Sequence, residues 1–280
     1  MTVAKTFTIG GELTVRRLGF GAMRICGPGI WGHPDDPAAA RQLCRKALDL
    51  GVNFIDTADA YGPEVSEYLL AEALHPYPDD LVIATKGGLA RGGPNNWVTD
   101  GRPENLRRRC HNSLRRLRLE AIDLYQLHAV DDDVPLAESV GALAELKQEG
   151  KIRQVGLSNV KVEEIEEARS IVDVATVQNR FNLGDRTHAA VAEYCAEHGI
   201  GFIPWYPLKA GDLTGSGGVA AEVAAAHDAT VGQVALAWLL HLSPVQLPIP
   251  GTSKAAHLEQ NCAAAALSLS ADEMARLSAA

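Results

Sequence analysis

The sequence predicts an α/β fold, a closed (β/α)8 or TIM barrel, and three observations carry that expectation. Short apolar runs of strand length recur near 18–23, 53–57, 81–86, 122–128, 152–158, 174–179, 200–205 and 245–249. Helical patterns separate them, and eight strands alternating with helices fit a closed parallel barrel better than an open doubly wound sheet. Polar residues of catalytic type close several of the runs, at the rim where barrel enzymes carry their chemistry.

The elements follow in order. Residues 7–15 read as a hairpin with Gly10 and Gly11 at its turn, and in a barrel it would plug the bottom. Helices are expected near 36–50, 63–75, 103–118, 135–149, 162–170, 187–198, 219–241 and 254–265. No linker, repeat or low-complexity tract interrupts the alternation, so residues 1–280 read as one domain. Two glycine-rich loops, 89–102 and 207–218, follow strands and are candidate lids. Trp97 in the first needs something to cover.

Composition narrows the function. A net charge of −9 speaks against general nucleic-acid binding. The arginines between Arg107 and Arg118 read as a solvated helix face. Five cysteines, an odd number without a C-x-x-C pair, describe neither a disulfide framework nor a zinc site, and no metal is expected. Neither a signal core nor a membrane-length apolar run is present, so a cytoplasmic protein is expected.

The catalytic reading starts from Asp56, Tyr61, Lys86 and His128. Asp56, Lys86 and His128 each close an apolar run, and Tyr61 follows Asp56 in a loop. A free phenol is a poor acid at neutral pH, but a neighbouring ammonium is expected to lower its pKa. A carboxylate would hold that ammonium charged, and an imidazole would orient a carbonyl. Such a group suits protonation of a carbonyl oxygen while hydride reaches the carbon. Taken singly, each residue has a structural reading: a cap, a packed ring, a buried histidine. Their shared location favours catalysis.

Six motifs strengthen the reading: Gly51-Val-Asn-Phe-Ile-Asp-Thr-Ala58, Ala84-Thr-Lys86, Asp123-Leu-Tyr-Gln-Leu-His128, Val155-Gly-Leu-Ser-Asn159, Gln178-Asn179 and Ile249-Pro-Gly-Thr-Ser253. In that order, the chain resembles the aldo-keto reductase family from Arg17 to Asn261. The resemblance implies NADPH as cofactor, with NADH as the alternative, although no G-x-G-x-x-G follows a strand. It also implies that Ser158, Asn159 and Gln178 grip the nicotinamide carboxamide and that Trp205 stacks on its ring. Tyr206, Leu208 and Lys209 would meet the pyrophosphate. Thr252, Ser253, Lys254, Gln260 and Asn261 would meet the adenosine end, and Met23 the nicotinamide side. Gly251 and His257 stand where relatives carry a lysine and an arginine for the 2′-phosphate.

Around Trp31, the segment Gly21–Gly32 is similar to that of bacterial pyridoxal reductases within the family, which makes pyridoxal or another small aromatic aldehyde the candidate substrate. Trp31 and Trp97 are expected in the substrate pocket, with no long tail after 254–265 to cover it. The expected partner is a small carbonyl compound, acted on by a monomer or weak homo-oligomer. Two alternatives remain. One is an NADPH-binding regulatory partner of the channel β-subunit type. The other is Schiff-base chemistry at Lys86, which needs a neutral amine and is opposed by Asp56.

Overall fold

The computed structural model describes residues 4–208 and 218–280. Lys209, expected at the cofactor, and most of the 207–218 loop lie outside these residues. The chain begins with an antiparallel hairpin, β1 (Thr6–Ile9) and β2 (Leu13–Arg16), whose turn holds Gly10 and Gly11 at positive φ. Its apolar face, Ile9, Leu13 and Val15, shares a buried cluster with Phe54, Val82, Leu124 and Leu247.

The central sheet is parallel. In spatial order it runs β3 (Phe20–Gly21), β4 (Phe54–Asp56), β5 (Val82–Gly87), β8 (Ile122–Leu127), β9 (Ile152–Ser158), β10 (Val174–Gln178) and β11 (Gly201–Phe202). Helices α1 (Pro37–Asp49), α2 (Val65–Leu74), α3 (Pro103–Leu117), α4 (Leu136–Gln148), α5 (Val162–Arg169) and α6 (Ala189–His198) occupy the crossovers and pack side by side. With side chains buried on both faces, the strands are near-continuous apolar runs, as a covered parallel sheet requires.

Seven regular strands form the ladder instead of eight. The eighth run, 245–249, lies in the expected place but is not a regular strand. Pro248 and Pro250 have no N–H to donate, so this segment offers carbonyls alone on one side. Gly19 N donates to Pro248 O at 2.9 Å, while Phe202 N donates to Val245 O and Leu247 N to Phe202 O, both at 2.8 Å. The segment thus joins β11 to the chain around β3 and closes the barrel. The join is tight: a Cβ on Gly21 would lie 2.6 Å from Ile249 O.

Three other expectations are corrected. The 89–102 loop contains a small antiparallel hairpin, β6 (Leu89–Gly93) with β7 (Asn96–Thr99), turning through Pro94 and Asn95. The single helix expected at 219–241 is two, α7 (Val219–Ala226) and α8 (Val231–Leu242), bent by 96°. Asp228 at φ +50° breaks the first, and Thr230 starts the second with a capping box to Gln233. After α9 (Ala255–Ala263) comes an unanticipated α10 (Ala271–Ala279), capped by Ser270 and Glu273. Among the described residues no single helix is long and apolar enough to cross a membrane.

Candidate active site

Strand ends build the site. β4 delivers Asp56 as its last residue, β5 delivers Lys86 beside its end, and His128 follows β8 directly. The loop after β4 turns back through Tyr61 N to Ala58 O at 3.1 Å, which brings the phenol over the lysine. Lys86 Nζ donates to Asp56 Oδ1 at 2.6 Å, to Thr57 O at 2.8 Å and to Tyr61 Oη at 3.3 Å. Lys86 and Asp56 are fully buried, so this pair operates where water does not screen it. Asp56 Oδ2 accepts from Gln126 Nε2 at 3.1 Å and Gln178 Nε2 at 2.8 Å, so both carboxylate oxygens are engaged.

The electrostatics differ from the expectation at one point. Burial pushes the Tyr61 phenol above its ordinary pKa, and Lys86 offsets that only in part. Tyr61 is therefore a protonated donor at neutral pH, not a phenolate. For Lys86, burial opposes the charge, but Asp56 and Tyr61 together outweigh it and hold the ammonium above its ordinary value. Burial, then the charges of Lys86 and Arg109, hold His128 well below the usual histidine range, so its ring is neutral. That ring meets Tyr61 edge-on at 5.8 Å between centroids, and its Nδ1 is buried without a partner.

A cleft of about 900 Å³ opens above this group. Asp56, Tyr61 and His128 line it, as do Met23, Ser158, Asn159, Gln178, Trp205, Tyr206, Leu208, Ser253 and Trp97. Lys86 lies beneath the floor. Trp31, Thr252, Lys254, Gln260 and Asn261 do not line the cleft. Thr252 and Asn261 are buried, and Thr252 Oγ1 accepts from Lys254 N at 3.0 Å, which caps the turn into α9. Asn159, in a left-handed conformation, ties the cleft together: its amide donates to His128 O at 2.9 Å and accepts from Trp205 Nε1 at 3.0 Å. That bond anchors the Trp205 indole while its ring lines the cleft.

The sequence matches the Aldo/keto reductase family model over residues 17–280. The chain belongs to the aldo/keto reductase family. This makes it an NAD(P)H-dependent oxidoreductase. An uncharacterized oxidoreductase of Schizosaccharomyces pombe is 51% identical over 267 residues, covering 95% of this chain and 87% of that one. Pyridoxine 4-dehydrogenase of Escherichia coli is 42% identical, with 98% and 97% covered. An aldo/keto reductase from Klebsiella pneumoniae, solved with NADP and acetate, superimposes with a TM-score of 0.83 at 29% identity, covering 98% of this chain and 94% of that one.

Four features of this aldo/keto reductase were not singled out from its sequence. Gln126 is legible in hindsight, because Leu124, Gln126 and His128 alternate onto one face of β8. Arg24 lines the cleft near Gly251 and Ser253, where the expected lysine is missing. Arg91 and Asp59 gave no local signal, since their partners come from distant segments, and Arg109, expected on a solvated helix face, instead pairs with the buried Asp59 at 2.7 Å.

Asp59 gives the reductase a titration of its own. Burial lifts its carboxyl to about 7 from an ordinary 3.8, against the pull of Arg109 at 2.7 Å, with Glu67 adding to the rise. Between those values the folded protein holds more protons than the unfolded chain, so this contribution to stability is complete below 3.8 and lost as pH rises through 7. His128 acts oppositely, because its depressed pKa removes stability as pH falls below its ordinary 6.5. Asp59→Asn abolishes the first slope and leaves the second. The stability of this variant relative to the parent should therefore improve between about pH 5 and about pH 8, read as denaturant midpoints. A constant difference across that range would contradict the assignment.

Proposed function

We propose that this chain reduces small carbonyl compounds with NADPH, and that its substrates are flat aromatic aldehydes of the pyridoxal kind. The observation that carries the reading is the buried Asp56–Lys86–Tyr61 chain, whose donor end opens into the cleft beside a neutral histidine. The hairpin β1–β2 is taken as the floor of the barrel, and the full 280 residues as one domain.

The cleft fits a nicotinamide dinucleotide on its own chemistry. Its volume lies in the range of small-molecule and cofactor sites. The amides of Asn159 and Gln178 and the Ser158 hydroxyl offer donors and acceptors for a carboxamide. The Trp205 ring, held by Asn159, offers a face for stacking. Arg24 and Ser253 supply charge and a hydroxyl at the far end, which favours NADPH over NADH. When bound, the cofactor supplies the hydride.

The protein's own groups handle the proton. Tyr61, protonated and 3.3 Å from a charged Lys86, gives its proton to the carbonyl oxygen as charge develops there. Lys86 then stabilises the phenolate that remains, and Asp56 keeps that ammonium charged. His128, neutral, orients the carbonyl by hydrogen bonding. General acid help of this kind contributes about 10²–10⁴-fold.

The relative named pyridoxine 4-dehydrogenase, at 42% identity, supports the choice of pyridoxal. The aromatic wall made by Trp97 over Tyr61 and His128 supports a planar substrate. The test follows NADPH consumption with pyridoxal, benzaldehyde and propanal. The reading expects turnover with a preference for the two aromatic aldehydes. Tight NADPH binding with no turnover of any of them would overturn it.

A further inference from the structure

Arg91 stands in β6 outside the reacting group, yet its side chain reaches three of the segments that border the cleft. Its guanidinium lies 3.8 Å from the centre of the Trp97 ring and 5.6 Å from that of Trp31. Nη1 donates to Ile30 O at 2.8 Å and Ala60 O at 3.2 Å; Nη2 donates to Gly29 O at 3.1 Å and Gly93 O at 3.3 Å. Those four carbonyls belong to three separate segments: the turn before Trp31, the loop that carries Tyr61, and the β6–β7 hairpin. No acidic side chain pairs with this cation among the described residues. Its donors serve the loops and its flat face serves the indoles.

Trp97 is the residue this arrangement holds in place. Its ring stands edge-on to Tyr61 at 6.4 Å and to His128 at 6.3 Å. It comes from a two-stranded hairpin, and an isolated two-stranded hairpin is marginal in water. Val98 beside it is half exposed, so the hairpin has little apolar burial of its own. The stacked guanidinium and its main-chain bonds supply what the hairpin lacks, because only a planar cation with a fork of donors can stack and bridge at once.

We infer that Arg91 is a specificity-determining positioning residue, which locks Trp97 as a rigid wall over Tyr61 and His128 and so selects flat aromatic carbonyl substrates over short aliphatic ones. The inference rests on the reductase reading above and deepens it. A fixed indole face offers a flat substrate a ready surface, whereas a small aldehyde gains little from it.

The experiment compares kcat/KM for pyridoxal and benzaldehyde with that for propanal in the parent, Arg91→Met, Arg91→Lys, Trp97→Ala and the double variant Arg91→Met/Trp97→Ala. Methionine keeps much of the stem and removes the donors and the charge. Lysine keeps the charge and loses the plane, so it should not rescue. The aromatic-to-aliphatic ratio should fall about tenfold in Arg91→Met, mainly through KM for the aromatic substrates, as expected for the loss of one stacked contact. Trp97→Ala should lower the ratio as far, and the double variant no further, because both changes remove the same wall.

Equal losses on all three substrates in Arg91→Met would make the residue a brace for the fold and overturn the inference. So would full rescue by lysine, or additive losses in the double variant. A parent enzyme that turns over propanal as readily as the aromatic aldehydes would instead sink the aromatic reading itself, and the Arg91 inference with it. A parent that turns over none of them would overturn the carbonyl-reduction reading, and the Arg91 inference with it.

Discussion

Tyr61→Phe should lower kcat by about 10²–10⁴-fold while NADPH still binds, the scale of a lost general acid. The ring remains to pack against Trp97 and His128, and the missing hydroxyl is the proton donor at the cleft that Lys86 addresses. Lys86 keeps Asp56 and Thr57 O as partners, so the fold should lose no more than about 1 kcal/mol, the worth of one hydrogen bond. Activity and stability therefore separate in this variant. The pH profile sharpens the test: with the phenol pushed above its ordinary pKa, the alkaline limb of the parent belongs to Tyr61 and should vanish in the variant. Near-parental kcat in Tyr61→Phe would pass the proton to His128 or to water and end this assignment.

Asp56→Asn should damage both activity and stability. The carboxylate accepts from Lys86, Gln126 and Gln178, all of them buried. An amide cannot accept at both positions, so it would set an N–H against another donor and leave a fully buried ammonium without its counter-charge. Removing one partner of a buried pair costs about 3–5 kcal/mol. For a chain of this size that is a fall of roughly 6–10 °C in Tm. Adding Lys86→Met to Asp56→Asn removes the stranded charge and should recover part of the loss, although the enzyme stays inactive. A melt for Asp56→Asn that matches the parent would show the pair to be dispensable for the fold.

The meeting of Asp56, Tyr61, Lys86 and His128 was legible because its members are local: each stands at or just after an apolar run, and a parallel strand of known polarity puts its last residue on one rim. The order of the strands was legible for the same reason, although the eighth run, 245–249, pairs without forming a regular strand. What escaped depends on groups meeting across the chain. Tyr61 shows this most clearly, since its neighbour Lys86 was readable but the burial that outweighs it was not. Thr252 and Asn261, expected at the cofactor, are buried away from the cleft, and the Thr252 hydroxyl serves the turn into α9 instead. The break between α7 and α8 lay in four residues, His227 to Thr230, whose capping chemistry was present but hidden inside a long Ala- and Leu-rich stretch. Arg91 had no readable signal, because its partners span residues 29 to 97 and most of them are carbonyls.

The proline-bearing join between Gly19 and Pro248 also governs how this chain comes to be a barrel. Arg17 lies beside the join and bonds the carbonyls of Gln246 and Leu240. Arg17 and Gln246 are 229 residues apart. Contacts that distant close late, since a long loop must be ordered before they repay it. Until residues 245–250 dock, the parallel ladder is an open sheet with two bare margins. Those margins are β3 and β11, only two residues each, which leaves little backbone for a neighbouring chain to pair with. The shortness of the flanking strands protects the unfinished molecule, and the prolines leave the last segment poorly suited to pairing anywhere else.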